Sequence, residues 1–307
     1  MTDLNSVTGS FHPYTATDIN DHAQIVGAGN SIHTLGQTRG YLLTLHPDWV
    51  GGNGKWDDPT GTHWDWGGTG TAPATIGYMH EVVIRDTNAT VSGSKHGHAK
   101  SLVLGGDAQK RVALDLNDGK TILTHNAMIR AGGTLEGTGT LQAHNVIGEE
   151  YAHIAPGKPD NKSNAIGLIR IIGETQFGPN SLFEMDVGRL LYWKKNDKII
   201  FDNDVVLNNS ILKVGWWGNQ VPLAGESFDL FDWKGDLTGK FEQIILPDID
   251  SSLLWDTTEL YNSGKISIVS AVPLPNTVGL FVSGLMFLSS LGHLCNQHTS
   301  RKSHLST

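Results

Sequence analysis

The sequence predicts an all-β protein built as a right-handed parallel β-helix, or β-solenoid, over residues 51–269, preceded by a short hairpin unit over 1–50 and followed by a membrane-crossing helix within 270–307. Three observations carry this. Glycine is in excess, 37 of 307 residues, without a Gly-X-Y period, so the excess serves tight turns between short strands rather than a collagen helix. Short apolar pieces recur at nearly even steps, of a length at which stacked coils share an apolar column. The last part of the chain carries a long stretch without charge, and a span that crosses a bilayer needs such a run.

In the first unit, Asn20-Asp21 is turn chemistry leading into Gln24-Ile25-Val26, a short strand expected to end at Gly27, and Arg39-Gly40-Tyr41-Leu42-Leu43 is a second strand. From Gly51 the texture changes to tryptophans spaced by Gly, Thr and Asp. A ladder then begins: Ser101-Leu102-Val103-Leu104, Arg111-Val112-Ala113-Leu114, Ile122-Leu123, Met128-Ile129 and Leu135, separated by GGD, NDGK, AGG and GTGT turns. The steps from Leu102 to Ile122 and from Ile122 to Leu141 are nearly equal, about 20 residues each, which is a solenoid repeat length. A β-sandwich gives similar short strands at spacings of about 8–12 residues, so periodicity alone leaves that alternative open. DNKSNA and LLYWKKND read as loops on the solenoid wall.

No Lys, Arg, Asp or Glu stands between Lys265 and Arg301, and residues 277–295 read TVGLFVSGLMFLSSLGHLC. At a rise of about 1.5 Å per residue this run covers roughly 28 Å, near the thickness of a hydrocarbon core. Arg301 and Lys302 follow as a basic stop. Ahead of the run, Ala271-Val272-Pro273-Leu274-Pro275 carries two prolines that forbid a regular element and leave an extended, protease-readable segment. The N-terminal segment lacks the basic start and apolar core of a secretory signal peptide.

Three resemblances rest on these motifs. VPLPNTVGLFVSGLMFLSSLG with its basic tail closely resembles the PEP-CTERM sorting signal in its VPLP variant. That resemblance implies export, transient retention in the inner membrane and processing by an exosortase-type enzyme that recognises Val272, Pro273, Leu274 and Pro275. Here the basic cluster is only Arg301-Lys302, set behind residues 296–300. DINDHAQIVG with GQTRGYLLT looks like one unit of the HAF repeat, which implies a propeller-like hairpin fragment. Such repeats need neighbours for stability, and with the absent signal peptide this creates the expectation that the reading frame begins inside a longer gene. Residues 51–269, through GGTLEGTGTLQAHNV, HIAPGKPDNK, SLFEMDVG, GESFDLFDW and GKFEQIILP, resemble autotransporter-passenger-like β-helix repeats.

The chemistry-bearing groups are sparse. The balance of 31 Asp+Glu against 22 Lys+Arg, a formal charge of −9, gives no footprint for nucleic acid. The one cysteine, Cys295, forms no internal disulfide. His96 and His98, with His63 and His80, are imidazoles at short spacing, but SGSKHGHAKS reads as a turn, and no metal is assigned. Asp115, Asn117, Asp118 and Gly119 lack the EF-hand spacing, and so do Asp202, Asn203 and Asp204; both groups read as turns with Asx side chains bonding the backbone. Asp115, Glu136 and Arg130 are the residue types that glycoside or polyuronide cleavage needs. Isolated acids on a solenoid wall are ordinarily solvated, so no catalytic residue and no cofactor is assigned. Among nine tryptophans, Trp49 and Trp56 with Trp64 and Trp66, or Trp216 and Trp217, are candidates for stacking on sugar rings, against a reading in which they cap the open ends of the solenoid. Tyr192-Trp193-Lys194-Lys195 reads as an exposed loop.

Together these expectations describe a non-enzymatic protein exported to the cell surface or extracellular matrix. It would be structural or adhesive and associated with exopolysaccharide. The alternative is a polysaccharide-active or polysaccharide-binding β-helix.

Overall fold

The computed structural model describes residues 11–271 apart from 20–23, 32–36, 45–46, 58–62, 66–75, 77–79, 86–87, 94–95, 117–118, 159–165, 191–192 and 219–221. The described chain is all-β with one short helix, Leu260–Ser263. No helix among the described residues is long and apolar enough to cross a membrane. Val272, Pro273, Leu274, Pro275, the apolar run 277–295 and Arg301-Lys302 lie outside the described residues.

Phe11–Ile19, Gln24–Ser31 and Thr38–Thr44 form an antiparallel meander. Gly27 does not end its strand. It sits opposite Tyr41, and a Cβ there would meet the Tyr41 ring at 2.8 Å, so glycine makes room for an aromatic lying across the sheet and donating its hydroxyl to the Thr15 carbonyl at 3.0 Å. The next element, Asp48–Trp49, already pairs with Glu81–Ile84 and Trp64–Asp65. This pairing lies just ahead of the change in composition at Gly51.

Beyond it the chain alternates between two parallel sheets. One contains Glu81–Ile84, Ser101–Leu104, Asn126–Ile129, Gly139–Gly148, Leu168–Phe177, Lys198–Phe201 and Phe231–Trp233; the other Ala89–Ser92, Val112–Asp115, Gly133–Gly137, His153–Pro156, Leu182–Leu190, Ile211–Trp217 and Gln243–Ile245. Each return to a sheet adds the next neighbouring strand in register. In the second sheet this stacks Val91, Leu114, Leu135, Ile154, Phe183, Leu212 and Ile244 into one column. Strict alternation along Leu168–Phe177, with every second residue buried, is what a strand with one face on a core requires. Both inner faces contribute to one hydrophobic cluster.

Registry corrects one expected spacing. Ile122 does stack on Leu141, but Leu102 stacks on Ala127 and Ile122 sits over Gly97. Each early turn of chain places two separate arms in this sheet, Thr121–Leu123 and Asn126–Ile129, which pair with the two halves of the single strand Gly139–Gly148. SLVL and TIL are apolar pieces of different arms. The true column runs through Val82, Leu102, Ala127 and Val146, then through Thr175, Val205 and Leu237. Its early steps are uneven, and every step after Val146 is longer than any before it.

The wider later turns hold larger side chains. Phe177, Phe183, Phe201 and Phe231 are fully buried, and Phe177 meets Phe183 edge-on at 4.7 Å. Phe177 fits because the residue beneath it is Gly148: a Cβ there would stand 2.3 Å from Cδ1 of the ring. At the N-terminal end Trp49, Trp56 and Trp64 are buried. Ser227–Asp229, Lys265–Ser270 and Leu253–Asp256 form a small antiparallel sheet towards the other end of the chain.

Of the two segments expected to be wall loops, Trp193–Asn196 is not part of a loop but the return strand of a hairpin with Leu182–Leu190, because its residues continue the ladder backbone by backbone. DNKSNA lies outside the described residues.

A turn recurs at the start of the second sheet. Gly133 N–H donates to the Arg130 carbonyl at 2.9 Å, Ala152 to Glu149 at 3.1 Å and Ser181 to Gly178 at 3.3 Å. The third residue of each turn is left-handed: Gly132 (φ 78°), Tyr151 (φ 61°) and Asn180 (φ 57°), with Asn209 (φ 55°) one turn of chain later.

Candidate functional site

The outward side of the second sheet gathers the charged groups. Asp115 and Glu136 stand directly opposite each other on neighbouring strands. The sequence suggests solvated surface for both, but Asp115 is fully buried and Glu136 is 5% exposed, because Lys158 Nζ closes on Asp115 at 2.7 Å and Arg111 reaches Glu136 at 2.7 Å. Burial raises the Glu136 carboxyl above its ordinary value, outweighing the Arg111 guanidinium, and the charge of Asp115 adds to the rise. Arg130 does not join them; it pairs with Glu149 at 3.3 Å.

Further along the same sheet Glu184 lies between His153 (3.2 Å) and Lys213 (2.7 Å). The hydrogen bond from His153, with that from Lys213, holds its carboxyl down to about 2 against the opposing effect of burial. Asp197 is buried and accepts the N–H groups of Gly167 and Asp186, both at 2.7 Å. Burial pushes it up to about 8, only partly offset by those two bonds. Asp197 thus ties the end of the hairpin return to the start of Leu168–Phe177 and to Leu182–Leu190.

Beside this ridge lies a groove of about 500 Å³. Leu182 and Ile211 give it an apolar floor, and Lys110, Arg111, Thr134, His153 and Asn180 supply polar groups. Tyr151 stands at its rim, 54% exposed. A second cavity, about 570 Å³, adjoins Lys100, His125 and His144, whose two imidazoles pack at 4.4 Å.

The remaining sequence candidates are scattered. His96 and His98 belong to a strand rather than a turn, since Gly97 between them seats the Ile122 side chain. His63 stacks on Trp49, and the His80 carbonyl accepts the Lys100 N–H. Among the described residues no group of three or more His, Cys, Asp or Glu is placed to hold a metal. Asn117 and Asp118 lie outside the described residues, as does Trp66. Asn203 and Asp204 bond backbone N–H groups of Gly173 and Asp236, while Asp202 takes Arg170 and Lys234 at 2.5 and 2.7 Å. Burial lifts Asp202, but those two hydrogen bonds prevail and leave its carboxyl below the usual range.

Trp64 is 4% exposed, edge-on to Trp49 and Trp56, and donates to the Trp56 carbonyl; its ring is occupied by packing. Trp216 is half-buried, stacked on Trp255 at 5.5 Å with its N–H on the Asp248 carbonyl. Trp217 is half-buried beneath the Lys195 ammonium.

Tyr151, His153, Glu184 and Asp197 are the groups that sequence reasoning misses. The signal for Tyr151 exists only once the turns are aligned, because it occupies a position that the neighbouring turns give to Gly and Asn. In comparisons with known proteins no family model matches the chain, and no curated protein matches it.

Proposed function

We propose that this chain is an exported surface or extracellular-matrix protein whose body is a right-handed parallel β-helix serving as a structural or adhesive spacer in association with exopolysaccharide. The observation that carries the reading is the in-register parallel stacking of strands that alternate between two sheets, the arrangement of a solenoid whose turns bury one another. The charges along the second sheet support a non-enzymatic role, since Asp115, Glu136 and Glu184 are each held in an ion pair. The tail supplies the sorting step in this reading. Val272, Pro273, Leu274 and Pro275 are recognised by an exosortase-type processing enzyme, 277–295 crosses the inner membrane transiently, and Arg301-Lys302 holds the cytoplasmic side. This part rests on the resemblance to PEP-CTERM signals and on the charge-free length of the segment.

Terminal peptide mapping by mass spectrometry, on protein recovered separately from cells and from their extracellular matrix, tests it. The expected product ends near Pro273 to Pro275 and is found in the matrix fraction. Protein that keeps residues 277–307 and remains with the cells overturns the reading.

One observation favours a polysaccharide-active alternative: the Glu136 carboxyl is raised while that of Glu184 is lowered, and opposed shifts mark acid and base partners in glycan cleavage. Their strands are separated by the one that carries His153, so the backbones stand roughly 10 Å apart. Reducing-end release from exopolysaccharide, abolished by Glu136→Gln, is the result this alternative requires.

A further inference from the structure

We propose that the groove rimmed by Tyr151 binds a neutral, hydroxyl-rich pyranose segment, with the Tyr151 ring as its stacking platform. The proposal deepens the matrix-associated reading above and rests on it for the class of partner.

The turn column provides the first argument. Four successive turns place a left-handed residue at the same position, and three use Gly132, Asn180 and Asn209, the residue types that tolerate that conformation. Tyr151 is the exception. A bulky aromatic with φ near 61° is costly, and residues held in sparsely populated backbone regions gather where a ligand uses them. Core packing does not account for the tyrosine, because its side chain is more exposed than buried. It stands instead at the rim of a groove of about 500 Å³, within the size range of small-ligand clefts.

The polar lining gives the second argument. Both cations of the lining have an acid beside them, Lys110 with Asp107 at 3.9 Å and Arg111 with Glu136 at 2.7 Å, and His153 lies 3.2 Å from Glu184, which Lys213 also pairs. The lining's two cations are thus compensated, and its amides, Gln109 and Asn180, each carry a donor beside an acceptor. The Asn180 amide also leans on Glu150 at 3.4 Å, while the Thr134 hydroxyl, 1% exposed and 3.3 Å from His153 Nδ1, steadies the imidazole from behind. Vicinal hydroxyls match such paired donors and acceptors, and the apolar floor of Leu182 and Ile211 matches the C–H face of a sugar ring. A polyuronate fits less well, because the chain carries a net charge of −9 and repels polyanions at low salt.

Affinity electrophoresis of the full chain, in native gels containing a neutral β-glucan or, separately, alginate, tests this. Wild type and Tyr151→Phe should be retarded by the neutral glucan. Tyr151→Asn should lose at least tenfold in apparent affinity while its Tm stays unchanged or rises by about 2–4 °C, because asparagine accepts the left-handed turn. A structural tyrosine would give the opposite, a lowered Tm with binding intact. The proposal is overturned if no neutral glucan retards the protein, if Tyr151→Asn binds as well as wild type, or if only alginate retards it. Matrix recovery of the Tyr151→Asn chain separates the two readings: a variant that still fractionates with matrix but ignores the glucan removes the groove as the anchor and leaves the matrix assignment in place, whereas wild type absent from matrix removes the assignment itself.

Discussion

Gly148→Ala probes whether the stacked turns are packed as tightly as their register implies. Gly148 faces Phe177 one strand along, and a Cβ built on it would lie 2.3 Å from Cδ1, 2.8 Å from Cε1 and 3.2 Å from the Ala152 Cβ. Phe177 is fully buried and wedged against Phe183 and Phe201, so its ring has nowhere to swing without moving two others. Overpacking of this kind costs about 1–3 kcal/mol. Alanine returns about 0.4–1 kcal/mol by restricting the unfolded chain, which leaves a net loss of roughly 1–2 kcal/mol. Urea unfolding of wild type, Gly148→Ala, Phe177→Leu and the double variant forms a cycle. Phe177→Leu alone should also destabilise, but the added methyl should then be tolerated, giving a coupling of about 1–2 kcal/mol in the direction of mutual rescue. If Gly148→Ala is neutral or stabilising in the wild-type background, or if the two substitutions add without coupling, the ring is not seated on the glycine and the packing argument fails.

Other consequences can be measured with similar tools. The Glu184 carboxyl lies at about 2 against an ordinary value of 4.5, a linkage worth at most about 3.4 kcal/mol and, because the side chain is 26% exposed and partly screened by solvent, nearer about 1–2 kcal/mol. Because the folded value is depressed, this stability is complete above pH 4.5 and lost as pH falls towards 2, so Glu184→Gln should be less stable than wild type at pH 7 and equal to it near pH 2; a gap independent of pH refutes this. Lys158→Ala leaves the fully buried Asp115 without its nearest ammonium and should cost about 2–4 kcal/mol. Pairing Lys158→Met with Asp115→Asn should recover part of that in a thermal melt, and equal losses in the single and double variants would show that the ion pair contributes little.

The sequence announces its strands clearly where glycine turns separate short apolar runs, which is why SLVL, VAL of RVAL and TLEG fall on strands. It does not announce registry. Leu102 and Ile122 look like successive rungs, yet they belong to different arms, because so short a strand piece carries no label saying which neighbour it will meet. Trp193–Asn196 is hidden for a related reason: a hairpin return on a sheet edge needs no apolar alternation of its own. The site is half legible. Asp115 and Glu136 can be picked as the right residue types, but their opposition depends on the register of their strands and their burial on Lys158 and Arg111, partners distant in sequence. Arg130 is an equally suitable type and lies with Glu149 instead. Tyr151 is invisible in the sequence because its anomaly is conformational, and only the comparison with Gly132, Asn180 and Asn209 exposes it.

The widening of the turns, from the step Val82 to Leu102 up to the step Val205 to Leu237, bears on how stability is shared along the chain. Closing the longer loop costs only about 0.4 kcal/mol more in chain entropy, since that cost grows with the logarithm of length. Each phenylalanine that the wider turn admits gains on the order of 2 kcal/mol or more by leaving water. The late turns are thus almost as easy to close as the early ones and far more rewarding once closed. If that difference governs local stability, amide protons of the Phe-lined strands should exchange more slowly than those of the Val- and Leu-lined strands between residues 81 and 129, and uniform protection would refute it.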